Sequence, residues 1–397
     1  DKGVALLEQL VSDYPSSNLI KSAMLKLGLH YYNNDNNELA ILNFKKVIDN
    51  YPSTSESKEA LMAFKNVSVE QGNVKAYLSY VEGLSGVSVS VAAQDSITFD
   101  GAEALYFKQD YNKSSKALND YLSAFDNPIF ENSATFYLAE SFFEIGQKEK
   151  ALEEYLKINE WNDSRFKERV LVQLSAIEFE KKQYGIAALH FQELLEIASS
   201  KELIRSAKIS LYLCHKELDI EDQLLLSASE ILKLDKLDKQ LMLEASLLLA
   251  NNNFTMSEFY AAKKEYHQIC SLDKNSFGAE ARYQLASLSF IEEDFQACEA
   301  GVFDLAENYF DDYFIAKGFI LLSDVYVKQE NYFQAKATLQ SIIDNYQGEE
   351  LINIAVTKFN YVVAIEESLN SPDKDNELII DLLIDFDEEE INSEDEE

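Results

Sequence analysis

Apolar residues recur along this chain at spacings of three and four, and short polar runs interrupt them at intervals. In residues 21–52, KSAMLKLGLHYYNNDNNELAILNFKKVIDNYP, the side chains of Met24, Leu27 and Tyr31 share one face of a first helix with Gly28. Gly28 has no side chain, so a neighbouring helix can approach its backbone closely. The run from Asn33 to Asn37 consists of residues that bond their own backbone, and it predicts the end of that helix. Ala40, Phe44 and Val47 mark a second helix, which Tyr51-Pro52 ends because the residue before a proline is pushed out of helical geometry. Two short amphipathic helices leave apolar surface on both sides, so such a hairpin is stable only when stacked on others.

The register returns in Leu138, Ala139, Phe142, Ala151, Tyr155 and Ile158, and again in Leu174, Ser175, Tyr184, Ala187, Phe191 and Leu194. It is present in Leu285, Ala286, Phe295, Cys298, Val302 and Leu305, and in Leu322, Ser323, Tyr326, Ala335, Leu339 and Ile342. Looser copies cover 55–86, 102–128, 203–234 and 240–272, the last with a break lengthened by NNNFTMSE. The pattern predicts about nine full hairpins, a half-hairpin ending at Tyr14-Pro15 and a closing helix near 351–369. A Val-Ser alternation at 87–91 has an extended reading and a loop reading. We read it as a loop leading into a helix near Asp95-Ser96, with a bend near 83–95. After Pro372 comes a C-terminal apolar segment, which includes Ile380, Leu383 and Phe386, and then an acidic tail. That segment, within residues 371–397, either caps the last hairpin or docks on another protein.

The order Leu-Gly, Tyr, then Ala, Phe and Pro resembles the tetratricopeptide repeat (TPR), whose unit is two antiparallel helices of about 34 residues. The resemblance implies an all-α fold over 1–370, a right-handed TPR superhelix, that is, an α-solenoid, with first helices lining its concave surface. It implies a non-enzymatic scaffold that binds a protein or peptide. The segments YPSS, QDSITFDGAEALY and ATFYLAESFFEIGQKEKALEEY resemble large TPR proteins of the Bacteroidota cell envelope. That likeness implies a periplasmic or outer-membrane-associated protein, with the cytoplasm as the alternative, and makes a structural subunit of an envelope machine the second reading. The family's two-carboxylate clamp does not carry over, because its basic or amide positions hold Ser22, Leu25 and Leu29. Asp1 in place of an initiator Met reads as a part of a longer protein.

Counted from the start of each first helix, the twelfth position holds Tyr32, Phe143, Phe179, Phe290 and Val327, and the ninth holds Glu140 and Asp324. Two readings of this aromatic stripe stay open: a groove for a peptide with apolar and basic side chains, or rings packed inside their own hairpins. Charge favours a basic or neutral partner, since 70 acidic residues against 35 basic ones leave a formal charge of -35. Such a surface repels nucleic-acid phosphates and anionic lipid.

Chemistry is sparse. His30, His190, His215 and His267 lie in separate repeats, without a nucleophile-base constellation or a glycine-rich phosphate loop. The pairs His267 with Cys270 and Cys214 with His215 lack further ligands nearby, so no metal and no cofactor is expected. No run reaches the roughly 18 apolar residues of a membrane span.

Overall fold

The computed structural model of the chain describes residues 2–161 and 165–369, which hold twenty helices and no strand. They fall into two compact units, Asp1–Cys214 and His215–Glu397. The first unit contains α1 (Lys2–Asp13), α2 (Ile20–Asn33), α3 (Asn37–Asn50), α4 (Ser55–Glu70), α5 (Val74–Glu82) and α6 (Val91–Phe107). It continues with α7 (Tyr111–Ala124), α8 (Glu131–Glu144), α9 (Lys148–Asn159), α10 (Lys167–Glu180) and α11 (Tyr184–Ile197). Helix α12 (Lys201–Leu218) begins in the first unit and ends in the second. The second unit then holds α13 (Glu221–Ile231), α14 (Lys239–Thr255), α15 (Phe259–Leu272) and α16 (Ser276–Ile291). It closes with α17 (Phe295–Asn308), α18 (Asp312–Lys328), α19 (Tyr332–Asn345) and α20 (Glu349–Leu369). From α2 to α19 the helices pair as nine hairpins, with α1 as the half-hairpin before them and α20 as the closing helix. The fold is an all-α solenoid.

One turn closes every hairpin. Each has a residue with φ between 52° and 77° at its centre: Asp35, Gly72, Gln109, Gly146, Lys182, Asp219, Ser257, Glu293 and Glu330. The next residue's N–H reaches back five positions, as from Asn36 to the Tyr31 carbonyl, Gln147 to Phe142 and Asn331 to Tyr326, each at 2.8 Å. The left-handed residue's own N–H bonds three positions back, Asp35 to Tyr32 at 3.0 Å and Glu330 to Val327 at 2.9 Å. This pair of bonds is the Schellman ending, which satisfies carbonyls left over at the helix C-terminus. The following residue starts the second helix, and the side chains of Asn36, Asp110, Asp294 and Asn331 accept the N–H three residues on.

Seven of the nine left-handed positions carry a side chain, against steric preference. Lys182→Gly should therefore stabilise the first unit, and Gly146→Ala destabilise it, each by about 1 kcal/mol in urea unfolding. Nothing lies within 4 Å of a Cβ placed on Gly146, so that change isolates the backbone effect.

Packing follows the same count. The fifth residue after the left-handed one is small and fully buried in Ala40, Ser114, Ala151, Ala187, Ala262, Cys298 and Ala335. Four residues on, a large buried side chain fills the core, as with Phe44, Leu118, Tyr155 and Tyr266. Gly28 is where α2 meets Phe44: a Cβ there would lie 2.5 Å from the ring. Pro15, Pro52 and Pro128 each fall just after a second helix or the half-hairpin.

Two helix boundaries differ from the sequence expectation. Helix α6 begins at Val91 and not near Asp95, because the Ser90 hydroxyl accepts the Ala93 N–H at 3.3 Å and caps it. The segment near 83–95 lies within the first unit. NNNFTMSE is mostly helix, and only Met256–Glu258 form the break. Its asparagines bond outward instead of to their own turn: Asn251 accepts from the Tyr266 hydroxyl at 2.8 Å and donates to Glu280 at 2.9 Å, and Asn253 donates to Glu265 at 3.0 Å.

Candidate interaction face

The aromatic stripe closes hairpin turns. Counted back from the turn, its rings stand three residues before the left-handed residue, opposite the residue two after it. Phe179 meets Tyr184 with ring centroids 5.3 Å apart, and Phe290 meets Phe295 at 5.9 Å. Phe143 packs on the core around Tyr155 and Leu174. Tyr32 donates its hydroxyl to Glu70 of the next hairpin, and that bond to a carboxylate pushes its phenol up to about 12. The same slot holds Tyr106, 5.7 Å from Tyr111, and Phe254, 6.0 Å from Phe259. Counting from helix starts misses both, because the first helices run from 14 to 18 residues and so begin at unequal distances from the turn. The turn, whose geometry is constant, is the better origin.

The carboxylates of the stripe are held from within. Glu140 is buried and accepts from the Tyr155 hydroxyl at 2.5 Å and from Arg169 of the next hairpin at 3.2 Å. Asp324 accepts from Lys358 of α20 at 2.9 and 3.0 Å. Ile380, Leu383 and Phe386 lie outside the described residues.

What the structure brings together is a patch on α6, α8 and α10, consecutive first helices of the first unit. Tyr106 lies 4.6 Å from Tyr137, and Tyr137 lies 5.7 Å from Phe107, which is 66% exposed. Phe136 stacks on Phe166 at 4.0 Å beneath them. Two carboxyl groups stand in this aromatic setting. Burial pushes Asp100 up, with Lys65 pulling the other way, and burial together with the Asp100 charge pushes Glu103 up against the pull of the Tyr137 hydroxyl and of Arg165. The bordering guanidinium groups are engaged: Arg165 donates to Ser133 at 2.8 Å and lies 4.7 Å from the Phe166 ring, and Arg169 holds Glu140. A cation brought by a ligand would meet ring faces and partly desolvated carboxylates, an environment that favours it.

Elsewhere the titratable groups are structural. Burial pushes the Cys214 thiol up to about 11 and Cys298 up to about 12, and raises Cys270, so none is poised as a thiolate. His267 is exposed while Cys270 is buried, and His215 approaches the Ser227 hydroxyl at 3.2 Å. Among the described residues no group of three or more His, Cys, Asp and Glu side chains is placed to hold a metal, and no helix is long and apolar enough to cross a membrane.

His190 is buried against Glu178 at 2.6 Å, and this hydrogen bond to a carboxylate raises its pKa. Folding then favours the protonated imidazole. The stabilisation is complete below the ordinary value of 6.5 and is lost as pH rises through the higher folded-state value. Thermal melts of wild type and His190→Gln should differ most in the acid range and converge as the medium becomes alkaline.

The tetratricopeptide repeat family matches residues 22–54 and 319–348, which cover the α2–α3 hairpin and most of the α18–α19 hairpin. These two stretches of the chain are tetratricopeptide repeats. The shared turn carries that register through the hairpins between the two matched stretches. No curated protein sequence matches the repeat protein. Among solved structures it is similar to yeast Tom70, with 14% identity over 89% of this chain and 90% of that one at a TM-score of 0.34. It is also similar to a TPR protein from Parabacteroides merdae, with 11% identity over 85% and 98% of the two chains at 0.25. The C-terminal part of a TPR repeat-containing protein from Cytophaga hutchinsonii shows 12% identity over 73% and 97% at 0.31.

Proposed function

We propose that this TPR protein is a non-enzymatic scaffold that holds a segment of another protein on the α6–α8–α10 face, reading apolar or aromatic side chains interspersed with Lys or Arg. The observation that carries this reading is the cluster of exposed Phe107 with half-buried Tyr106 and Tyr137 beside Asp100 and Glu103, whose carboxyl groups are partly desolvated. The charge of -35 supports it, because a basic segment is drawn to such a surface at long range. Tyr32, Phe143 and Phe179 hold the same turn slot as Tyr106 in the first unit, and Phe290 holds it in the second, but their rings close the turns. Glu140 and Asp324 position helices through their internal partners. The bacterial cell envelope is the proposed compartment, supported by the segment likeness of residues 14–17, 94–106 and 134–155, and fractionation of the native cell tests it.

Selection of random displayed peptides on the purified chain tests the binding reading. Peptides that combine aromatic or aliphatic residues with Lys or Arg should be enriched, and Phe107→Ala with Glu103→Gln should weaken them about tenfold. Enrichment of acidic peptides, or affinity indifferent to both substitutions, contradicts it.

A further inference from the structure

Between the α8–α9 and α10–α11 turns of the first unit the hairpin-turn edge is closed by charge. The second and third residues after left-handed Gly146 are Lys148 and Glu149, and they pair with Glu180 and Lys181 at the next turn. In the second unit the matching residues after Ser257 are Phe259 and Tyr260, and those at the next turn are Ile291 and Glu292. The ion-paired slots have become largely apolar. Tyr260 is 87% exposed, Met256 70%, Ile291 49%, and Phe333, which repeats the Tyr260 slot at the α18–α19 turn, 74%. Since α14, α16 and α18 pack in succession, these turns lie in a row along one edge. An isolated exposed ring is ordinary, whereas a row of them marks a docking surface.

Charge says what docks there. Glu258, Glu292, Glu293, Asp294 and Glu330 are exposed at the same turns, against Lys264, Lys328 and a Lys263 already paired with Glu292. We infer that this edge of the second unit binds an amphipathic segment of a partner protein, whose apolar face covers Met256, Tyr260, Ile291 and Phe333 and whose lysines or arginines meet the flanking carboxylates. The chain's own apolar segment at 378–386 fits poorly, since Asp381, Asp385 and Asp387 would face those carboxylates. A second copy, with the same charge of -35, is disfavoured for the same reason. The inference does not rest on the α6–α8–α10 face.

The test uses the full chain and two labelled helical peptides, one of Leu and Lys and one of Leu and Glu, read by fluorescence anisotropy. The Leu/Lys peptide should bind and the Leu/Glu peptide should not. Tyr260→Ser with Phe333→Ser should weaken binding about tenfold or more without changing the melting temperature, while Leu189→Ser, a substitution of an exposed side chain on α11, leaves it unchanged. Unchanged affinity in the double variant overturns the inference, as does an equal loss in Leu189→Ser, which would show that the peptide answers to exposed apolar surface in general. Concentration-dependent dimerisation in sedimentation, abolished by the double variant, overturns the choice of occupant and assigns the edge to self-association.

Discussion

Asp95→Ala should destabilise the first unit by about 3–5 kcal/mol, because it strips acceptors from buried donors and replaces them with nothing. Asp95 is buried, and its carboxylate accepts from the Tyr121 hydroxyl at 2.7 Å and from the Ile129 N–H at 3.0 Å. The Tyr121 hydroxyl in turn accepts the Phe130 N–H at 3.1 Å, so one side chain of α6 fixes the approach to α8. Stacking of Phe99 on Phe130 at 4.5 Å depends on the same placement. Asp95→Asn keeps one acceptor oxygen and should cost only about 1–2 kcal/mol. Because α6 and α8 carry Tyr106 and Tyr137, the alanine variant should also lose peptide affinity, and the asparagine variant should largely keep it. Urea unfolding of the three proteins measures the first effect and peptide anisotropy the second.

Gly278→Ala should cost about 3 kcal/mol, although alanine is by nature the better helix residue by about 1 kcal/mol. The new methyl would stand 2.1 Å from the Asp273 carbonyl oxygen and 2.6 Å from its carbon, and backbone cannot swing aside as a side-chain tip can. Asp273 is itself fixed, since its carboxylate accepts the N–H groups of Asn275 at 3.0 Å and Gly278 at 3.1 Å. The clash therefore outweighs propensity. The loss should appear in the second unit, as faster amide exchange in α15 and α16.

The architecture was legible because its causes are local. Polar breaks, Tyr-Pro endings and the spacing of small and large residues predict nine hairpins, a half-hairpin and a closing helix, as observed. Gly28 was readable as a close approach, and Phe44 is what approaches. The start of α6 was not, since a Ser90 cap competes with an apparent strand alternation in the same few residues. NNNFTMSE misleads because its asparagines find partners on α15 and α16, which no local window contains. The candidate face was least legible. Tyr106 and Tyr137 are far apart in sequence and meet only when α6 and α8 lie side by side, and Glu140 finds Arg169 only across a hairpin boundary. Counting from helix starts also let the stripe slip past Tyr106 and Phe254, where the turn would have kept it in step.

Site-specific photo-crosslinking in the native cell is the most direct measurement of partner binding on the first-helix face. A photoreactive residue at Phe107, on that face, is compared with one at Leu189, which is similarly exposed on the second helix α11. The scaffold reading predicts a discrete crosslinked product with another protein from position 107 and none from 189, and a basic, apolar segment in the partner at the site of attachment. Equal products from both positions, or a product from 189 alone, would contradict it.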